Sequence, residues 1–503
     1  MLEQLLSGYQ LMFCWHNIMF VFLGLAVGVF VGSIPGLTVT MATALIVPLT
    51  FTMQPVPALA LLLGVYKGGM FGGSISAILI NTPGTPAASA TALDGYPLAQ
   101  KGQAVKALKI ALYSSVIADT GSDLILILVA PPLALIALRF GPPEIFSLVL
   151  FSLTIIAAVS GKSLLKGLVA ATLGLLFATI GMDPVAGLSR YTFGYIDMLK
   201  GIGLIPMLIG IFAVAEILLK VENHQNQDTR TIKVEISPHA ADNSVSWKEM
   251  RGCLRSIARG TALGTFLGAI PGIGSTITAF LNYGMARKAS KCPETFGQGS
   301  LDGVAAAESG NSAVCGATLI PLLTLGIPGD IITAIILGAF MIQGIAPGPM
   351  MFQEHGTIIY ALFIGLMICN VGNLLVGSLS IKIARNILRV PDGILYPIIL
   401  ILCFVGTYAC DNSMFDVGIM FAFGIVGFLM RKLEYPPASL LIGFILGPML
   451  ENSLRQSLIM FDGHFSIFFQ RPISLGFLLL TIITVLTIMI NTYRTAMRKT
   501  DPH

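Results

Sequence analysis

The chain has 503 residues, 55% of them hydrophobic and only 11% charged, with a net charge of +4. Soluble domains carry about 25% charged residues, so this chain cannot cover a water-facing surface of its size. Disordered, collagen-like and nucleic-acid-binding classes are excluded. So is the small disulfide scaffold, because only seven Cys are spread over the whole length. What remains is an all-α polytopic membrane protein.

No Lys or Arg precedes Lys67. The first apolar stretch therefore lacks the basic start of a cleaved signal and reads as a retained span. The Cys residues show no CxxC or metal-ligand spacing and read as structural. Apolar stretches recur near residues 16–51, 57–80, 105–138, 144–160, 164–181, 200–220, 260–284, 303–326, 355–381, 393–409, 415–430, 437–450 and 473–492. A span needs about 20 residues. Several stretches are too long for one span or are interrupted by Pro-Gly, which puts the number of transmembrane segments at about 10–14. They are too uniformly apolar for barrel strands, which alternate over ~10 residues. The polar stretch 221–259 carries Arg230, Lys233, Lys248, Arg251, Arg255 and Arg259. It reads as a basic cytoplasmic linker between a first membrane repeat, 1–220, and a second, 260–492. Residues 493–503 read as a basic cytoplasmic tail.

The two halves share a pattern. Residues 24–36 read GLAVGVFVGSIPG and residues 260–272 read GTALGTFLGAIPG. Both fit G-x-x-x-G-x-F-x-G-x-I-P-G. A second Pro-Gly follows in each half, at Pro83-Gly84 and Pro328-Gly329. One such pair is an ordinary kink. Four in matched positions predict a duplication with broken helices or re-entrant hairpins. Charge placement predicts that the repeats are inverted. Lys101, Lys106 and Lys109 follow the second Pro-Gly of the first half, and the matching stretch 345–357 has no Lys or Arg. Between the two Pro-Gly sites the bias reverses: residues 52–58 are uncharged, while the second half has Arg287, Lys288 and Lys291. Equivalent loops then lie on opposite sides of the membrane.

Proline lacks an N–H and glycine tolerates unusual backbone, so Pro-Gly ends a helix inside the membrane. Freed backbone groups there must line protein or a wet cavity. A half-helix starting after Pro-Gly offers unpaired N–H groups and partial positive charge, which suits an anion. The expected substrate-binding residues are Pro35, Gly36, Thr38, Asn81, Thr82, Pro83, Gly84 and Thr85 in the first half. In the second they are Pro271, Gly272, Gly274, Ser275, Asn311, Pro328 and Gly329. The same broken ends can coordinate a coupling cation, so Na⁺ near the Pro-Gly breaks is a further expectation.

At these motifs the sequence resembles the large membrane subunit of the tripartite tricarboxylate transporters (TctA type). The segments that carry the resemblance are GSIPGLTVT (32–40), YKGGMFGGSISAILINTPGTPAASATALDGYPLAQKGQA (66–104), GAIPGIGSTI (268–277) and ESGNSAVCGATLIPLLTLGIPGD (308–330). The resemblance implies a bacterial inner-membrane uptake system for citrate-like tricarboxylates or related carboxylates. It implies a small membrane subunit (TctB type), a periplasmic solute-binding protein (TctC type), no cofactor, and drive by a Na⁺ or H⁺ gradient. There is no GxxxxGK[ST] motif and no catalytic constellation, so no enzyme is expected. A homo-oligomer is compatible with this reading. A passive anion channel is the alternative, since it too would have polar breaks at mid-membrane.

Five acids and one lysine need separate weighing. Lys67 lies inside an apolar segment, where an ionisable residue is a functional candidate; it could meet a substrate carboxylate, or snorkel. Asp119 and Asp123, four apart, could bind Na⁺ or H⁺. The intervening Thr120-Gly121-Ser122 reads instead as a turn that caps two helices, and that is the preferred expectation. Glu308 fits a coupling-ion or substrate contact, or an interhelical hydrogen bond. Asp330 follows Pro328-Gly329 and reads most plainly as a helix cap. Asp94 reads as a loop residue near the cytoplasmic surface.

Overall fold

The computed structural model describes residues 2–159, 163–183, 185–223, 240–387 and 392–500. In chain order the first half comprises α1 (Leu2–Met12), α2 (Trp15–Ser33), α3 (Val39–Thr50), α4 (Pro55–Ile80), α5 (Ala88–Gln100), α6 (Ala104–Ala137), α7 (Pro142–Val159) and α8 (Leu164–Ala178). A two-residue hairpin, β1 (Gly181–Met182) with β2 (Ser189–Arg190), leads to α9 (Leu204–Ile209) and α10 (Ala215–Asn223), joined by a π-turn. The second half comprises α11 (Trp247–Gly268), α12 (Gly274–Ala289), α13 (Leu301–Ala317), α14 (Leu319–Leu325), α15 (Ile331–Ile342), α16 (Met351–Glu354), α17 (Gly356–Ile387), α18 (Asp392–Asp411), α19 (Met414–Lys432), α20 (Pro437–Met460), α21 (Ile467–Gln470) and α22 (Pro472–Thr500).

Among the described residues, seven helices are long and apolar enough to cross a membrane, and shorter apolar helices of 10–17 residues accompany them. The protein is therefore an all-α polytopic membrane protein. The apolar stretch 16–51 is two helices, α2 and α3, because Pro35-Gly36 divides it. Similarly, 303–326 is divided at Thr318 into α13 and α14. The expected linker ends earlier than residue 259: α11 begins at Trp247, where Ser246 and Glu249 form a reciprocal capping box. Hydrogen bonds from Ser246 hold the Glu249 carboxyl down to about 2. The stability it adds is complete above its ordinary 4.5 and is lost as pH falls through about 2.

Packing is reciprocal between the halves. Helix α2 packs on α4, and α11 on α13. The long helix that follows each pair crosses over: α6 lies along α13 and α11, and α17 lies along α2 and α4. One end of the bundle gathers basic residues of the first half onto the start of the second. Lys106 pairs with Glu249 at 2.9 Å, Lys109 donates to the Asn243 carbonyl at 2.8 Å, and Lys101 donates to the Gln298 carbonyl at 2.6 Å.

Helices α2 and α4 approach through glycine. A Cβ on Gly64, Gly68 or Gly72 would lie 2.7, 2.5 or 2.6 Å from the carbonyl oxygens of Val21, Leu25 and Val29. Gly24, Gly28 and Gly32 face α4 in the same way. Such contact is the usual means of helix association in lipid, where apolar burial alone gives little. Gly68→Val is expected to lower the unfolding temperature of the detergent-solubilised protein sharply, or to remove the folded peak on size exclusion. Gly284→Ala, where a Cβ meets open space, should stay within about 1 kcal/mol of the parent.

Candidate functional site

Each Pro-Gly turn interrupts a helix and opens another. Pro35-Gly36 separates α2 from α3, and Pro271-Gly272 separates α11 from α12. Gly36 and Gly272 adopt nearly the same left-handed backbone, φ 87° and 90°, which L side chains rarely take. The second turns also match. Helix α4 ends on Asn81 at φ 54°, two residues before Pro83, and α14 ends on Gly326 at φ 70°, two before Pro328. Helices α5 and α15 follow.

In the second half the two turns meet, and in the first the second turn meets the last turn of α2. The Gly272 N–H donates to the Gly329 carbonyl at 2.8 Å. In the first half the Gly84 N–H donates to the Gly73 carbonyl at 3.1 Å, and Gly84 packs on the Gly32 carbonyl one turn before Gly36. Gly329 is closed against Thr318, at the α13–α14 break, where a Cβ would come within 2.8 Å. Thr38 caps α3, accepting the Met41 N–H at 3.1 Å, and the first N–H groups of that helix have no intrahelical partner. Beside this turn lies Lys220 of α10, whose ammonium occupies the space a Cβ on Gly36 would take.

A polar core ties the halves together. Lys67 on α4 pairs with Asp119 at 3.1 Å and with Asp123, both on α6. It also donates to Asn370 Oδ1 on α17 at 2.8 Å, and Asn370 donates to Asp123 at 2.8 Å. All three charged side chains are at most 4% exposed. Tyr66 donates to Asp330 Oδ2 at 2.8 Å and lies 3.4 Å from the Thr318 hydroxyl. Glu308, fully buried, accepts from Ser74 at 2.5 Å and from Thr91, on α4 and α5. Ser115 on α6 bonds Ser312 on α13.

Several sequence expectations change here. Asp119 and Asp123 do not flank a turn: α6 runs unbroken from Ala104 to Ala137. The buried Lys67 ammonium balances carboxylates that local signals alone would place at a helix end. Lys67 is correspondingly occupied by these acids rather than open to a substrate carboxylate. Asp94 is not in a loop. It is fully buried on α5 and accepts the N–H groups of Gly297, Gly299 and Ser300, each at 2.8 Å. Asp330 is the expected cap, in a reciprocal box with Thr333 at the start of α15. Glu308 makes interhelical hydrogen bonds through one oxygen, while its other oxygen has no partner.

The expected binding residues fall into distinct settings. Asn81 and Thr82 are exposed, and Asn81 and Pro83 line a cavity of about 290 Å³ with Ser89 and Tyr96. Gly84, Thr85, Asn311, Pro328 and Gly329 are buried. Pro35, Gly36, Thr38, Pro271, Gly272, Gly274 and Ser275 are half-buried. Asn311 has no partner for either amide atom. Sequence reasoning missed Lys220, Tyr66, Ser74, Thr91 and Asn370. For Asn370 and Asn373 there was a signal: amides inside the apolar stretch 355–381.

These features define a polytopic α-helical membrane protein with four breaks at matched places and a buried charged core. A family model, the tripartite tricarboxylate transporter TctA family, matches residues 18–442, and the chain belongs to that family. It is 36% identical over 481 residues to an uncharacterised 52.8 kDa protein in the TAR-I ttuC' 3' region of Agrobacterium vitis, covering 95% of this chain and 94% of that one. A second uncharacterised protein, in the TAR-II ttuC' 3' region of the same organism, is 36% identical over 234 residues, 46% of this chain and 96% of its own. No solved structure matches.

Lys67→Met would leave Asp119 and Asp123 buried without their cation. Removing one partner of a buried pair costs about 3–5 kcal/mol, so a clear fall in unfolding temperature is expected. An unchanged value would show that the core does not depend on this charge.

Proposed function

We propose that the chain is the large transmembrane subunit of a secondary transporter that imports citrate-like tricarboxylates or related carboxylates. A periplasmic binding protein delivers the substrate, a small membrane subunit completes the complex, and a Na⁺ or H⁺ gradient drives it across the bacterial inner membrane. The observation that carries this reading is the meeting of two Pro-Gly turns in the second half, where Gly272 bonds Gly329, with the packing of Gly84 on the last turn of α2 at Gly32 in the first. A half-helix start after such a turn carries free N–H groups, which can hold a carboxylate without a strongly basic pocket; α3 is such a start, whereas α15 is capped by Asp330. The Lys220 ammonium beside Gly36 adds positive charge at the first turn. Membership in a tripartite transporter family supports the two partners. The reciprocal crossing of α6 and α17 supports two repeats in inverted orientation.

The test is uptake of labelled citrate into vesicles holding this chain and its two partners, with Na⁺ and proton gradients imposed separately. Accumulation above the outside concentration that needs one gradient supports the carrier; equilibration without accumulation fits a passive channel. Gly84→Val, whose side chain would drive into the Gly32 carbonyl and Gly73, is expected to abolish uptake. If it transports normally at normal folded yield, the first-half turn does not hold substrate.

A further inference from the structure

The Lys67 cluster is one positive charge short. Two carboxylates, Asp119 and Asp123, face a single ammonium, and all three side chains are at most 4% exposed. A net negative charge so far from water is strongly disfavoured. The other titratable groups that face the cluster are the thiols of Cys315 on α13 and Cys369 on α17. Tyr66 and Asp330 lie one step further. Among the described residues, none of these supplies a second cation.

The cluster also has oxygens to spare. Asn370 occupies Asp123 Oδ2 with its amide. Asp123 Oδ1 and the Ser122 hydroxyl are fully buried and have no hydrogen-bond partner. Both turn toward Gly316 on α13, where a Cβ would lie 2.5 Å from Asp123 Oδ1 and 3.0 Å from Ser122 Oγ. The missing side chain lets the Gly316 backbone pack directly against these oxygens, so they stay unpaired and buried.

We propose that Lys67, Asp119, Asp123, Ser122 and Asn370 take up one monovalent cation, a proton or Na⁺, and that this is the site through which the ion gradient acts. The coupling role rests on the transport reading; the binding itself does not. The placement suits coupling. Lys67, Asp119, Asp123 and Ser122 belong to the first half, Asn370 and Gly316 to the second. Tyr66, next to Lys67, donates directly to Asp330, which caps the half-helix opened by the Pro328-Gly329 turn. An added cation cancels the excess charge and leaves the Lys67 ammonium held to both acids. Its loss leaves a charged cluster at the seam between the halves.

The experiment uses the purified full chain in detergent. At about pH 8, unfolding temperature and ²²Na⁺ binding are measured as NaCl replaces N-methylglucamine chloride at constant ionic strength. In parallel, Na⁺-free protein is followed from about pH 5 to 9 by unfolding temperature and by the infrared band of protonated carboxyl groups. If the occupant is Na⁺, binding saturates and stability rises with it. If it is a proton, stability rises as pH falls and the carboxyl band is present. In Asp119→Asn one ammonium faces one carboxylate and no cation is needed, so either response should be lost while the protein stays folded. Glu354→Gln, an exposed acid on α16 away from the cluster, is the control and should keep it. Asp119 makes the fewer contacts of the two acids, so its variant carries the test even if Asp123→Asn fails to fold. A response that survives unchanged in Asp119→Asn, or a wild type with neither response, overturns the proposal. Normal cation binding in a protein that never accumulates carboxylate would sink the transport reading and leave this site standing.

Discussion

The close approach of α2 and α4 through backbone alone sets the geometry on which both the site and the charged core depend. With glycines on each helix meeting the other's carbonyls, the helices sit as near as chains can. That brings Gly32 onto Gly84 and the start of α3 against α4, where Val39 fills the space at Gly69. It also leaves α4 almost wholly buried, so Lys67 and Ser74 face protein instead of lipid. In a membrane this packing replaces the apolar burial that holds a soluble core together, because lipid is as apolar as the side chains it would exclude.

Burial then dictates the electrostatics. A lysine in the middle of an apolar helix is stable only with carboxylates against it, and α6 supplies two, one helical turn apart. Asn370 completes the set from α17, accepting from the ammonium and donating to Asp123. The same rule explains Asp94, which forms no ion pair among the described residues. It is held by three backbone N–H groups of the loop before α13, a standard way to stabilise a buried carboxylate. It pins α5 to the second half. Charges that look isolated in the sequence are joints between elements far apart in it.

This explains which features were legible. The Pro-Gly turns were readable because proline and glycine act locally: a missing N–H and a left-handed φ break a helix whatever surrounds it. All four breaks fall where the sequence places them, and Asp330 caps α15 for the same local reason. The Asp119–Asp123 segment misled because its cues were also local. Thr120, Gly121 and Ser122 favour a turn, but Lys67, more than fifty residues earlier, removes the need for one. Gly121 instead makes room for Thr261 of α11. Asp94 misled in the same manner. Lys220 gave no signal at all, since its position against Gly36 depends on how α10 docks.

The two halves share a backbone design but not an environment. Asn81 and Thr82 of the first turn stand exposed beside a cavity of about 290 Å³, while the matched Gly326, Pro328 and Gly329 are buried, with Leu325 and Ile327 beside them lining a cavity of about 470 Å³. At the second turn Tyr66 to Asp330 and Gly272 to Gly329 are single hydrogen bonds, and Ile327 of the same turn belongs to the buried apolar core. Each hydrogen bond contributes only about 0.5–3 kcal/mol. Under the transport reading, the glycine-packed pair α2–α4 is suited to stay intact as the frame while other elements move.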